Sequence, residues 1–427
     1  VLSAESNSLG TERARETITM KLAVKFLFAH AALGVMVSAS DITQHLGIGF
    51  STEYMSVKPT FDTVTNKVVP NLQNTLGISN FRIYNANEEA EYIATLIKEN
   101  NDITFIVDTG YLWYRESERV VLADLTSDIV TRYLNDYIND VGEKVKAVNG
   151  DEYEWLDNVQ QVFYFNEPYI EYYYHWGHKA YPDVKDYSND VARVGGFVQE
   201  FFNTYKDGKY KTVISVGPVF STAYTEGLTD ILLTHGLQMQ AGAGAPLRFN
   251  INLYACFPFQ PGYKSFWPLY LLTQCLDGSF LETQVTGWKL FFASYSIEGI
   301  NPDDITFTIT ETGWPTAGEP YASEYLAAQY YNSTITRMKD PTSALYGVDL
   351  YLFEALDEDL KHNMPVEAHW GLMDANGDIK EEIARYWPSL NNDTNVAEND
   401  TDMKKDKVEN RDDSFSNASG NLRATYA

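Results

Sequence analysis

The sequence predicts an α/β protein built as a (β/α)8 TIM barrel in a single catalytic domain. Three observations carry this expectation. Short β-branched, apolar runs alternate with longer amphipathic stretches between residues 45 and 390. The runs are rich in apolar and β-branched residues, as buried parallel strands are. Two of them end in a glutamate followed at once by turn residues: Asn166-Glu167-Pro168 after QVFYF, and Glu311-Thr312-Gly313 after ITFTIT. C-terminal strand ends are where a parallel barrel keeps its chemistry. A doubly wound open sheet is the alternative, but it would usually carry a glycine-rich phosphate turn after its first strand, and residues 45–52 have none.

In chain order, residues 1–19 are polar and do not begin with Met. Met20 is followed by Lys21 and Lys25, an apolar run over 26–37, and Val37-Ser38-Ala39. This has the form of a secretory signal peptide spanning 20–39. The run is shorter than the roughly 20 residues a membrane span needs, although an uncleaved anchor or a buried helix would use the same residues. The expected organisation is a leader over 1–39, the barrel over 40–390 and a tail over 391–427. The tail is rich in Asn, Asp, Lys and Ser and poor in large apolar residues, so it is expected to be disordered. Strands are expected at 46–50, 81–84, 103–107, 162–165, 213–216, 249–254, 305–310 and 348–353, a set of eight that fits the barrel. Amphipathic helices are expected among others at 88–99, 125–139, 186–205 and 323–339, the last with Ser323 as N-cap. Polar connections are expected at 111–120 and 142–158.

Charge narrows the ligand. With 59 acidic against 32 basic residues, the net charge of −27 repels phosphate backbones and anionic membrane surfaces, so neither nucleic acid nor a membrane is an expected partner. A neutral polymer is compatible. Thirty Tyr and eight Trp suit sugars, whose C–H faces stack on rings while polar tips hydrogen-bond, although many of these rings simply fill a core. No His or Cys cluster has zinc spacing, and there is no phosphate loop or dinucleotide fingerprint, so neither metal nor cofactor is expected. Cys256 and Cys275 either pair in an oxidising compartment or remain two buried thiols. Sequons occur at Asn332, Asn392, Asn399 and Asn417. With no internal repeat beyond the strand–helix unit and no long pairing helix, a monomer is expected.

The chemistry expected at the barrel mouth follows from two carboxyls. Glycosidic cleavage needs one protonated carboxyl at the leaving oxygen and a second carboxylate as nucleophile or as base for water. Glu167 and Glu311, on barrel strands four and seven, would supply them. Asn166, beside Glu167, would reach a sugar hydroxyl or serve as a strand-end turn residue.

Six blocks in order now carry a resemblance: FRIYNAN at 81–87, FNEP at 165–168, NLYACFPF at 252–259, TETGWPTAG at 310–318, LFEALDEDLK at 352–361 and EAHWGLMDANGDIK at 367–380. Together they resemble glycoside hydrolase family 17, the β-1,3-glucanases, over most of residues 46–380. The resemblance implies Glu167 as acid/base and Glu311 as nucleophile. It implies Glu358, Lys361 and Glu367 as a charged network on the loop after strand eight, and Tyr84 and Tyr254 as tyrosines near the cleavage point. Trp314 is expected to pack under the nucleophile loop or to stack on sugar, and Trp370 to be structural. FNEP departs from the Gly-Asn-Glu common in the plant enzymes, and FEALDE with HWG is closer to a fungal-type branch that also transfers glucan chains. The expected activity is a secreted, retaining endo-β-1,3-glucanase, extracellular or associated with a cell wall, with β-glucan as its partner. A β-1,3-glucanosyltransferase, a preference for mixed linkages and a non-catalytic glucan-binding wall protein are the alternatives.

Overall fold

The computed structural model describes residues 42–99, 102–109, 122–151, 153–168, 181–210, 213–215, 219–220, 228–254, 269–294, 296–362, 364–388 and 390. Nine strand segments form one sheet: β1 (Leu46–Phe50), β2 (Asn80–Ile83), β3 (Thr104–Asp108), β4 (Val159–Phe163), β5 (Val213–Ser215), β6 (Val219–Phe220), β7 (Arg248–Asn252), β8 (Thr306–Thr312) and β9 (Asp349–Leu352). The order is β5-β4-β3-β2-β1-β9-β8-β7-β6, and every pairing is parallel. The first strand pairs with the last, as a barrel requires. The two ends of the sheet, β5 and β6, are separated only by residues 216–218, so they are two pieces of the fifth strand position. The expected (β/α)8 barrel is therefore the observed fold, with β5 and β6 both at its fifth strand position.

Most of the core lies between the sheet and the surrounding helices. A separate small cluster of Ile106, Phe163 and Tyr351 fills the barrel interior. Arg82 stands in register with Ile106, so its side chain points to the same interior. The interior is otherwise lined by buried polar residues, including Gln161, Asn250, Asn252, Thr308 and Thr310.

Two expectations shift. The fourth strand runs Val159–Phe163 instead of 162–165. Its pairing begins at Val159 opposite Phe105, directly after the short turn Trp155–Asn158, so Tyr164 and Phe165 lie beyond the ladder while remaining buried. The residues that follow, Asn166 and Glu167, are thereby lifted onto the rim. The expected connection 142–158 is largely helix, since one helix spans Ser127–Asn149. Val141 and Val145 continue the buried stripe of Val130, Leu134, Tyr137 and Ile138 at helical spacing. Thr126 caps its start by accepting from the Ile129 N–H, and Gly150, at φ 102°, ends it. The expected cap at Ser323 is present, accepting from the Leu326 N–H at 3.2 Å. The connection 111–120, the leader and the tail lie outside the described residues. Cys275 is buried and disulfide-bonded, and the chain's other cysteine, Cys256, lies outside the described residues. Among the described residues no helix is long and apolar enough to cross a membrane.

Candidate active site

The site is assembled at the C-terminal ends of β2, β4, β7, β8 and β9. Glu311 is the penultimate residue of β8 and stands opposite Asn252, the last residue of β7. The pairing register slips at Ile251/Asn252 on one side of β8 and between Ile309 and Thr312 on the other. Such irregularities re-aim side chains near barrel rims. Here consecutive residues, Thr310 and Glu311, both join one polar network.

Arg82 is the hub of that network. Its Nη1 donates to Glu311 Oε1 at 2.6 Å, to Asn252 Oδ1 at 3.1 Å and to the Thr310 carbonyl at 3.1 Å. Its Nη2 donates to Asn166 Oδ1 at 2.9 Å. The guanidinium is fully buried, with its carbon 4.5 Å from the Tyr84 ring centroid and 5.4 Å from that of Phe163. A buried cation is tolerated only when paired and hydrogen-bonded, and the planar fork of arginine reaches several partners at once. The other oxygen of Glu311, Oε2, accepts from the Tyr254 hydroxyl at 2.9 Å. Glu311 is thus held from two sides, by a cation and by a phenol.

Glu167 follows β4 in the left-handed region, at φ 44°, a conformation that costs a non-glycine residue and is held here by its surroundings. Its Oε1 accepts from Asn252 Nδ2 at 2.8 Å. Asn252 is fixed in turn, since its Oδ1 also accepts from Thr310 Oγ1 at 2.8 Å. The Glu167 carboxyl is pushed up to about 7, first by burial and then by the charge of Glu311. The Asn252 hydrogen bond and the Arg82 charge pull the other way, and Glu367 adds a further upward push. Arg82 binds Glu311 directly, so the second carboxyl of the pair is the one that keeps a proton.

The loop after β9 adds a second charged cluster. Lys361 Nζ lies 3.1 and 3.0 Å from the two oxygens of Glu354 and also pairs with Glu358. Glu358 Oε1 accepts from Ser51 Oγ at 2.9 Å and from the Tyr54 N–H at 3.0 Å. Both glutamates are buried, and Lys361 lies 4.6 Å from the Phe353 ring centroid. Glu367, partly buried, is shifted upward by burial first; the Lys361 charge opposes that push and the Glu311 charge adds to it. Lys361 is thus paired with Glu354 and Glu358, and its charge also acts on Glu367.

The aromatic residues divide by exposure. Trp314 is 1 % exposed, packs 5.9 Å from the Tyr330 centroid and donates its indole N–H to the Tyr321 carbonyl at 2.9 Å. Its faces are covered, which fits support of the loop rather than sugar stacking. Trp370 is equally buried and meets Tyr254 edge-on at 5.3 Å. A side chain at Gly313 would bring its Cβ within 2.3 Å of the Phe353 carbonyl, so only glycine lets the end of β8 pass this close to the end of β9. Tyr84 is buried, with its ring edge-on to Phe353 at 6.0 Å, and burial and the Glu311 charge raise its phenol well above the ordinary range.

All nine residues picked from the sequence lie at this end of the barrel. Four participants were not picked: Arg82, Asn252, Thr310 and Glu354. Arg82 had a signal, a lone charge inside an apolar strand, which has to be paired where it is buried. Asn252 and Thr310 had none, since a polar residue near a strand end is ordinary.

A parallel eight-stranded barrel with two glutamates at the ends of its fourth and seventh strand positions defines the class. Within it residues 292–384 match the family model of the glycosyl hydrolases family 17. The chain is similar to the glucan 1,3-beta-glucosidase of Saccharomyces cerevisiae, 39% identical over 88 residues that make up 19% of this chain and 26% of that protein. It is also similar to glucan endo-1,3-beta-glucosidase 1 of Arabidopsis thaliana, 28% identical over 170 residues, or 36% of this chain and 33% of that one. The matched segments thus span about a quarter to a third of these relatives. Among solved structures the fold resembles CJP38, a beta-1,3-glucanase and allergen of Cryptomeria japonica pollen, with a TM-score of 0.55 and 18% identity over 78% of this chain and 97% of that one.

Proposed function

We propose that the chain is a secreted, retaining glycoside hydrolase that cleaves internal β-1,3-glucosidic bonds of β-glucan. One observation carries the reading: of two neighbouring glutamates, Glu311 is clasped by Arg82 and Tyr254 while Glu167 holds a proton up to about pH 7. Two carboxyls in opposite protonation states are what double displacement needs. In the first step a Glu311 oxygen bonds to the anomeric carbon, the glycosidic C–O bond breaks, and the Glu167 proton passes to the leaving oxygen. In the second step water adds to the anomeric carbon, its proton goes to Glu167, and the bond to Glu311 breaks. Asn166 uses its Oδ1 on Arg82, which leaves its N–H group for a sugar hydroxyl. The glucan assignment rests on the named activities of the relatives and on an acidic, aromatic-rich composition suited to a neutral sugar polymer. Secretion rests on the form of residues 20–39.

The test is a time course on a pure β-1,3-linked glucose oligomer with every product length resolved. Shorter products alone are the expected result. Products longer than the substrate would make the chain a glucanosyltransferase with the same first step. The Glu311→Gln variant should lose turnover yet keep binding, and retained turnover would remove Glu311 as nucleophile.

A further inference from the structure

Asn252 is the residue through which the two carboxyl groups are joined. Its carbonyl oxygen takes one hydrogen bond from Arg82 Nη1, which also holds Glu311, and one from Thr310 Oγ1. Arginine can only donate, so the amide cannot be turned around without losing that bond. The NH2 group is therefore committed to the opposite direction, where it meets Glu167 Oε1. Asn252 itself is fully buried, on a strand and not on a loop.

We infer that Asn252 is a positioning residue for the acid/base: clamped by Arg82 and Thr310, it reserves Oε1 of Glu167, confines the transferable proton to Oε2, and favours the ionised form that the second step requires. The inference rests on the function proposed above. A donor to a carboxylate stabilises its charge, so Asn252 lowers the proton affinity of a group that burial and Glu311 raise. The charged and titratable groups around Glu167 are Arg82 from β2, Glu311 from β8, Tyr254 after β7 and Glu367 from the loop after β9. Arg82 opposes the two carboxylates in this set, and Asn252 is a neutral donor placed directly on Glu167. When Glu311 becomes an ester its charge disappears, the strongest electrostatic push on Glu167 disappears with it, and the Asn252 N–H is already in place to hold the resulting carboxylate. The same amide thus serves both steps without moving.

The experiment is the pH profile of kcat/KM on an unactivated β-1,3-linked oligomer. Its alkaline limb reports loss of the proton from the free enzyme's acid. Asn252→Ala should move that limb upward by about 1 pH unit, because one hydrogen bond to the ionised form is gone. Thr310→Val, nearly isosteric, removes one clamp and should move the limb in the same direction by a smaller amount. Thr310→Ser keeps the hydroxyl and should restore the wild-type position. A fall in kcat with an unmoved limb in both Asn252→Ala and Thr310→Val would overturn the inference and leave Asn252 a packing residue. If Asn252→Ala does not fold, the Thr310 pair decides alone. Glu167→Gln separates the two levels of argument: its inactivity upholds the acid assignment, whereas full activity on the oligomer would remove that assignment and this inference with it.

Discussion

Lys361 stands between two buried glutamates, with its Nζ 3.0 Å from Glu354 Oε2 and in direct contact with Glu358. One cation cannot hold two carboxylates ionised in so dry a place. Burial drives the Glu354 carboxyl well above its ordinary range, against the Lys361 charge, and the neighbouring Glu358 adds to the shift. Glu358, by contrast, ends below the ordinary value, because Lys361 and its hydrogen-bond donors outweigh its own burial. The arrangement is a lysine paired with one carboxylate and one carboxylic acid.

Two substitutions should therefore behave differently. Lys361→Met leaves an ionised Glu358 buried without its cation and should cost roughly 3–5 kcal/mol in chemical denaturation. Glu354→Gln keeps the shape and replaces a neutral acid by a neutral amide, so it should cost about 1 kcal/mol or less near neutral pH. The sign of the pH effect follows from the raised value. Glu354 binds its proton more tightly folded than unfolded, so its contribution is complete below the unfolded carboxylate range and is lost as pH rises through the folded one. The wild type should lose stability on the alkaline side, and Glu354→Gln should flatten that slope.

Arg82 makes a sharper prediction for turnover. Lysine at this position keeps a charge but cannot reach Glu311, Asn252 and Asn166 as a fork does. Arg82→Lys should lower kcat on the order of 10²–10³-fold, the scale of losing one preorganised electrostatic contact. Single-turnover kinetics should place the loss in the chemical step, and a change confined to KM would contradict it.

The legible part of this molecule is the part written in strand periodicity. Eight runs rich in apolar and β-branched residues, two of them leading into Glu167 and Glu311, were enough for the barrel and for the rim that carries the carboxyls, because strands buried under a layer of helices need an apolar outer face. What could not be read was registration. Asn252 stands opposite Glu311 because β7 and β8 slip against one another at Ile251/Asn252, and no residue type announces such a slip. The helix over Ser127–Asn149 was cut short for a different reason: Gly142 and the charged residues after it read as a loop, while Val141 and Val145 still face the core. Tertiary burial overrode local propensity there.

Glu89 gives a stability switch away from the carboxyl pair. It is fully buried and accepts from the Thr52 N–H at 2.6 Å and from the Thr52 hydroxyl at 3.0 Å, tying the loop after β1 to the connection after β2. Burial outweighs these bonds and pushes its carboxyl up to about 7. The folded value exceeds the unfolded one, so its contribution is whole below the ordinary carboxylate range and is lost as pH rises through about 7. Glu89→Gln should remove roughly 3 kcal/mol of pH-dependent stability between pH 5 and 9, measured as denaturation midpoints across that range.

The sequon at Asn332 should carry no glycan in the folded protein. Asn332 lies inside the helix Glu324–Lys339, and its Nδ2, the atom a glycan would occupy, donates to the Tyr386 carbonyl at 2.7 Å. Thr334, the third residue of the sequon, is fully buried. That hydrogen bond joins the helix to the short final helix Glu381–Tyr386, so a sugar on Nδ2 would stand where the two helices meet. A sequon functions on exposed chain, and here its residue types serve packing instead. Peptide mass spectrometry of the protein expressed in a glycosylating host should find Asn332 unmodified. Asn332→Asp, which keeps the shape and loses the donor, should cost about 1 kcal/mol of stability. A glycan found at Asn332 on folded, active protein would show that the junction between these two helices can open without loss.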